Sequence, residues 1–243
     1  MLQLIYAPRT PHNHILLCAP SQEAADTLAI RLTRHLSPAV LFRLQTSTRT
    51  FSEVPSKLMA YSYVEGDMFS LPNWRTLMRF RVIVCSCRDA SLLVEARCTN
   101  RDLGNWEKGV VDSLRGIAED SSDFVERGEL VRLHWSALLL DEAAQGLEPD
   151  VAIPLSVVAP PEKISDDTPV FVMAGDQRQL GPTTVANGDL QVSAFERLFA
   201  RPVYNGHPLR RELYTQYGME NTRTHSEVVS ADRRAKMLVR TSL

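Results

Sequence analysis

Two short stretches combine side chains that could do chemistry on a phosphate. The first is Ala137-Leu-Leu-Leu-Asp141-Glu142-Ala-Ala-Gln145. An apolar run that ends in two carboxylates suits a site where one acid holds Mg²⁺ through water, because Mg²⁺ gives up its hydration shell reluctantly. The second acid can then orient or deprotonate the attacking water. A helix whose start is capped by Asp would produce the same residue string. The second stretch is Val170-Phe-Val-Met-Ala-Gly175-Asp176-Gln-Arg-Gln179-Leu-Gly-Pro182. Here Gly175 is expected to let the chain turn sharply, and Gln179 offers an amide able to sense a γ-phosphate or the water beside it. A tight turn alone explains the glycines and the proline. It does not explain why polar side chains recur after two separate apolar runs.

Such residues meet only if the elements carrying them end on one side of the molecule. Four apolar runs are bounded by polar or turn-forming residues: Ile15 to Ala19, Arg81 to Cys85, Ala137 to Asp141 and Val170 to Ala174. Unbroken apolar runs of this length fit strands buried on both faces, as in a parallel sheet covered by helices. Ser21 can cap a helix over 22–36, with Ala24, Ala25, Leu28, Ala29 and Leu32 on one stripe and Ser37-Pro38 as its stop. Met1 to Tyr6 reads as the last turns of another helix. Ser193 to Phe199 reads as a short amphipathic helix, and residues 97–129 as surface helices and a loop. Alternation of this kind predicts a doubly wound α/β sheet, whose ligands bind at the carboxyl ends of the strands.

The composition is ordinary for a globular protein: 243 residues, 44% hydrophobic and 23% charged, with a formal net charge of -2. Overall charge therefore gives no reason to expect nucleic acid, and any basic surface must be local. The four cysteines, Cys18, Cys85, Cys87 and Cys98, lack zinc-site spacing and read as buried free thiols in a reducing compartment. No apolar stretch is long enough to span a bilayer, and the N-terminus makes a poor signal peptide, which leaves a cytoplasmic or nuclear location as the expectation.

Taken together, the motifs resemble the superfamily-one helicases, in the branch containing the nonsense-mediated-decay helicase and the Armitage-like RNA-silencing helicases. Asp141 to Gln145 matches the Asp-Glu-Ala-x-Gln motif and is followed by Glu148-Pro149. Gly175 to Pro182 matches Gly-Asp-x-x-Gln-Leu-x-Pro. Ile15 to Ser21 looks like motif Ia, Arg81 to Cys87 like the next nucleic-acid motif, and Ser193 to Leu198 like the Ser-x-x-Glu-Arg-Leu helix after motif III. The match covers about residues 1–208. It implies a RecA-like doubly wound parallel sheet of the P-loop NTPase class, incomplete at its N-terminal edge. Residues 209–243 form a basic, poorly patterned tail that is expected to be divergent and disordered.

The resemblance also implies roles. Asp141 would be the Mg²⁺ acid, Glu142 the catalytic acid, Gln179 the γ-phosphate sensor, and Gln145 the link between nucleotide state and nucleic-acid grip. Asp176 would support the metal's outer ligands or brace the loop. Pro20 and Ser21, with Ser86 and Arg88 as weaker candidates, would contact the backbone of a single strand, RNA before DNA. Ser21 is equally explained as a helix cap. Ribonucleoprotein partners would be natural, a membrane would not. One element departs from the family: the string Gly-x-x-x-x-Gly-Lys-Ser/Thr occurs nowhere in the sequence, and Met1 to Ile5 is expected to be the end of the helix that follows it. That loop supplies most of the hold on the β- and γ-phosphates, so very weak ATP binding and essentially no turnover are expected. The family's Gln-Tyr-Arg motif has only a faint echo at Gln216-Tyr217-Gly218. The alternative function is a catalytically dead helicase-like RNA- or protein-binding module. A two-metal site built from Asp141, Glu142 and Asp176 ranks last.

Overall fold

The computed structural model describes residues 14–118, 133–160, 169–176, 181–185 and 189–202. The expected helix at Met1 to Tyr6, Gln179 and the basic tail all lie outside the described residues. In chain order the elements are β1 (His14–Ala19), α1 (Gln22–Leu32), β2 (Leu41–Arg43), β3 (Val64–Glu65), β4 (Met68–Phe69), α2 (Trp74–Leu77), β5 (Val82–Ser86), α3 (Ser91–Glu95), α4 (Asn100–Ala118), β6 (Trp135–Leu140), α5 (Glu148–Val158), β7 (Val170–Met173) and α6 (Ala194–Phe199).

Five strands form one sheet in the order β2-β5-β1-β6-β7, with every pairing parallel. The four apolar runs are four of these strands, and β1 lies at the centre. Its side chains alternate between two cores, as a period of two requires. Leu16 and Cys18 join Phe42, Ile83, Cys85, Leu138 and Phe171 under Leu93, Val151 and Phe195, which come from α3, α5 and α6. Ile15, Leu17 and Ala19 join Val82, Val84 and Ala137 under Ala25, Ala29 and Leu32 of α1. Both faces are therefore covered, which is why the strands read as continuous apolar runs rather than alternating ones. β3 and β4 form a separate two-stranded antiparallel hairpin.

Two expectations need correction. α1 ends at Leu32 rather than residue 36: Thr33 caps it, and a turn carries the chain on to a buried Leu36. The sheet also has a strand that the apolar runs did not reveal. β2 is only three residues long and ends in a fully buried arginine, Arg43, so it lacks the signature of an apolar run. In the 97–129 stretch, residues 100–118 form a 19-residue helix, α4. Its first residue, Asn100, is buried at the amino edge of the sheet. The Asn100 amide donates to the carbonyls of Trp135 (2.9 Å) and Val158 (2.7 Å), and its oxygen accepts from the Trp135 amide at 2.8 Å. One side chain thus ties α4, β6 and the end of α5 together.

All four cysteines are buried free thiols. Burial raises the ionisation range of Cys18 and Cys87, and pushes Cys98 up to about 11, with the nearby Asp102 carboxylate adding to the effect. A thiol kept neutral in the fold but free to ionise in the unfolded chain favours the fold only below its unfolded pKa. That contribution is lost as pH climbs from about 8.5, where an unperturbed thiol ionises, to about 11 for Cys98. The urea midpoint should therefore fall between pH 7.5 and pH 10, and the fall should be smaller in Cys98→Ala. An equal fall in that variant would assign the effect to other groups.

Candidate nucleotide and nucleic-acid rim

The carboxyl ends of the parallel strands form one rim, and every described candidate residue sits on it or in the loops beyond. Pro20 and Ser21 follow β1, Ser86 ends β5 with Arg88 two residues on, Asp141 and Glu142 follow β6, and Gly175 and Asp176 follow β7. Backbone hydrogen bonds continue past the strand ends and join these loops. The amide of Asp141 donates to the Cys18 carbonyl at 2.9 Å, and that of Cys87 to the Ala19 carbonyl at 2.8 Å. The Ala174 amide donates to Leu140 and the Ala143 amide to Ala174, both at 2.8 Å.

The closest contact on the rim is at Gly175. A Cβ there would stand 2.8 Å from the Ala144 amide nitrogen and 3.1 Å from that of Ala143, too near for any side chain. Among the described glycines only Gly66 has a positive φ. Gly175 is therefore required by close approach, not by the sharp turn its sequence context suggests. Its effect is to press the loop after β7 directly against the backbone that follows Asp141 and Glu142. Asp176 leaves from this point, partly exposed. Asp141 is nearly buried, with 8% exposure.

Glu142 is one of two non-glycine residues with positive φ among those described, at φ 52° and ψ 36°. The left-handed conformation costs a residue with a Cβ on the order of 1–2 kcal/mol. It heads a short 3₁₀ turn over Ala143–Gln145, and the Gln145 amide donates to its carboxylate at 3.3 Å. The next residue, Gly146, is packed against α5 and the loop after β1. A Cβ on it would lie 3.0 Å from Val151 Cγ2 and 3.6 Å from Pro20 Cγ. The turn bearing Gln145 thus abuts the loop bearing Pro20.

The remaining candidates separate by exposure. Ser21 caps α1, its hydroxyl accepting from the Ala24 amide at 3.2 Å, and its side chain is exposed. Ser86 is 3% exposed, and its hydroxyl accepts from the Asp89 amide at 3.0 Å, so it shapes the loop from within. Arg88 projects outward and pairs through Nε with Asp150 in the first turn of α5 at 3.1 Å. Sequence reasoning missed two links. Arg197 of α6 pairs with Glu148 at 3.0 Å, joining the helix after β7 to the acid that follows Gln145. A buried network around Arg43 sits behind Ser21 and Ser86. Neither pairing has a sequence signal, because its partners lie far apart in the chain. Among the described residues, no cluster of three or more His, Cys, Asp or Glu is arranged to hold a metal by itself. No described helix is long and apolar enough to cross a membrane.

A parallel sheet covered on both faces, with acidic and polar loops seated together on its carboxyl rim, defines a RecA-like α/β domain. No family model matches the chain. The sequence is 31% identical over 211 residues to RNA helicase Mov10l1 of Mus musculus, covering 84% of this chain and 14% of that protein. It is 29% identical over 170 residues to putative helicase mov-10-B.1 of Danio rerio, covering 69% and 13% respectively. It is 27% identical over 221 residues to ATP-dependent helicase upf1 of Schizosaccharomyces pombe, covering 87% and 21%. The chain belongs to the superfamily-one RNA helicases, in the branch that includes the nonsense-mediated-decay and Armitage-like helicases. It spans about a seventh of the length of the Mov10l1 and mov-10-B.1 relatives.

Two substitutions test the rim geometry. Gly175→Ala must push apart two backbone segments, and should lose about 1–3 kcal/mol of stability by urea unfolding. Glu142→Gly removes a side chain held in a left-handed conformation, and should leave stability unchanged or raise it by up to about 1 kcal/mol. A neutral Gly175→Ala would show that the two loops are not in contact.

Proposed function

We propose that the chain forms part of an ATP-driven RNA helicase motor that couples ATP hydrolysis to movement along a single strand. Residues 1–208 are part of the first RecA-like domain and 209–243 a divergent basic tail. The observation that carries this reading is the contact of Gly175 with the Ala143–Ala144 backbone, which seats the loop of Asp176 against the loop of Asp141 and Glu142. Asp141, nearly buried at the strand end, is the acid toward Mg²⁺. Glu142 aligns or deprotonates the attacking water, Gln179 senses the γ-phosphate, and Asp176 braces the metal's water shell. A single carboxylate with a second acid behind it fits a cation that keeps most of its waters and takes its other ligands from phosphates. Bound there, Mg²⁺ neutralises charge developing on the transferred phosphoryl group.

Coupling to the nucleic acid runs through the turn after Glu142. Gln145 donates to Glu142, and Gly146 packs against Pro20, so a shift at the acid is felt at the loop after β1. The Ser21 amide beside Pro20 and the Arg88 guanidinium offer contacts to the strand's phosphates, while Ser86 holds the second loop in shape.

Two measurements on the chain test this proposal. Oligo-uridylate should bind with an affinity that falls steeply as salt rises, as phosphate contacts require. ATP turnover with and without that RNA should stay at background, because the phosphate cradle is not in the sequence. Absence of RNA binding would sink the nucleic-acid assignment. Robust turnover that Glu142→Gln abolishes would sink the claim that this chain cannot hold the triphosphate.

A further inference from the structure

Behind the loops after β1 and β5 lies a buried polar network that none of the roles above uses. Arg43, at the end of β2, is fully buried. Its Nε donates to Asp26 at 2.9 Å, and Nη2 donates to the Gln22 side-chain oxygen at 2.7 Å and the Gln22 carbonyl at 3.3 Å. Nη1 reaches the carbonyls of Leu44 and Val84, and stands 3.9 Å from the Asp89 carboxylate. Asp26 also accepts from both terminal nitrogens of Arg49, at 3.0 and 2.5 Å, and these bonds raise the Arg49 pKa further. Two guanidinium groups therefore balance two carboxylates, Asp26 and Asp89, which are 4% and 3% exposed.

Gln22 is the piece that crosses between the loops. It follows Ser21 directly and opens α1. While its oxygen accepts from Arg43, its nitrogen donates to Asp89 at 2.7 Å. Asp89 closes the loop that begins at Ser86, through its own amide on the Ser86 hydroxyl. The loop after β1 and the loop after β5 are thus joined at their bases by one side chain, and both are anchored to β2 by one arginine. Burying four charges is expensive, and well-packed apolar residues often do as well for stability. What the polar network provides is position, since each bond has a fixed length and direction.

We propose that Gln22, held by Arg43, is a positioning residue for nucleic-acid binding. It fixes the spacing between the Pro20–Ser21 and Ser86–Arg88 loops so that both meet the backbone of one strand. This inference rests on the nucleic-acid reading of those two loops. Gln22 has no need to touch the strand itself. Its two amide atoms are already committed to Arg43 and Asp89, so it acts through the loops it joins.

The test compares the wild-type chain with Gln22→Met, which keeps the side chain's length but cannot bridge, and Gln22→Glu, which still accepts from Arg43 but repels Asp89. Thr27→Ala, on the exposed side of α1, serves as the control. Oligo-uridylate binding is measured by fluorescence anisotropy across a salt series, with urea midpoints and amide hydrogen exchange alongside. Both Gln22 variants should bind about ten-fold more weakly, with a salt slope smaller by about one phosphate contact, and should show faster exchange at residues 87–90. Thr27→Ala should match the wild type. Loss of affinity with an unchanged slope and unchanged exchange at 87–90 would mean a general weakening, and would overturn the proposal. Wild-type affinity and slope in both Gln22 variants would overturn it too, while leaving the nucleic-acid reading intact. A wild type that does not bind at all would instead remove that reading, and the role of Gln22 with it.

Discussion

Hydrogen bonding between parallel strands runs past the ends of β1, β5, β6 and β7, and the arrangement of the rim follows from it. In a parallel sheet each amide looks to the neighbouring strand, so the first residues of a loop remain tied to the next strand even after regular pairing stops. The bonds from Asp141 to Cys18, from Cys87 to Ala19 and from Ala143 to Ala174 are of this kind. They leave the loops little freedom to splay. Gly175 removes the last space between two of them by carrying no side chain where the Ala143–Ala144 backbone passes.

This constraint also accounts for where strain and charge are tolerated. Glu142 is held in a left-handed conformation at the start of a turn that is bonded to β7 on one side and packed on Pro20 on the other. Such a conformation persists only where the surroundings over-determine it. The Arg43 network likewise sits at the carboxyl end of the sheet, behind the loops, where several turns converge and leave carbonyls and charged groups to be satisfied. At the opposite edge the joining groups are the Asn100 amide, the Trp135 indole, which donates to the Cys98 carbonyl at 2.6 Å, and the His134–Glu107 pair at 2.8 Å.

Ion pairs on the surface repeat the same links more weakly. Arg88 with Asp150 and Arg197 with Glu148 both connect a rim segment to the start of α5. Exposed pairs of this kind contribute on the order of 0–1 kcal/mol each. Their value lies in the choice of neighbour rather than in stability. Through them the helix after β7 and the loop after β5 both lean on the residues that follow Gln145.

Four strands of the sheet, the cap at Ser21, the helix at Ser193 and the two acidic loops were legible in the sequence, because each is written in consecutive residues: an unbroken apolar run, a capping side chain, an acid at a strand end. Fold class and family followed from the order of those segments. Tertiary structure alone revealed β2, whose three residues end in an arginine, and the network that Arg43 organises, since its partners Gln22, Asp26 and Asp89 are scattered over 67 positions. It also changed the meaning of Gly175 from a turn to a close approach, a distinction that depends on what lies opposite the missing Cβ. Local patterns specify elements and the edge on which each one ends. Distances between loops depend on packing between residues remote in the chain, and no run of neighbours encodes them.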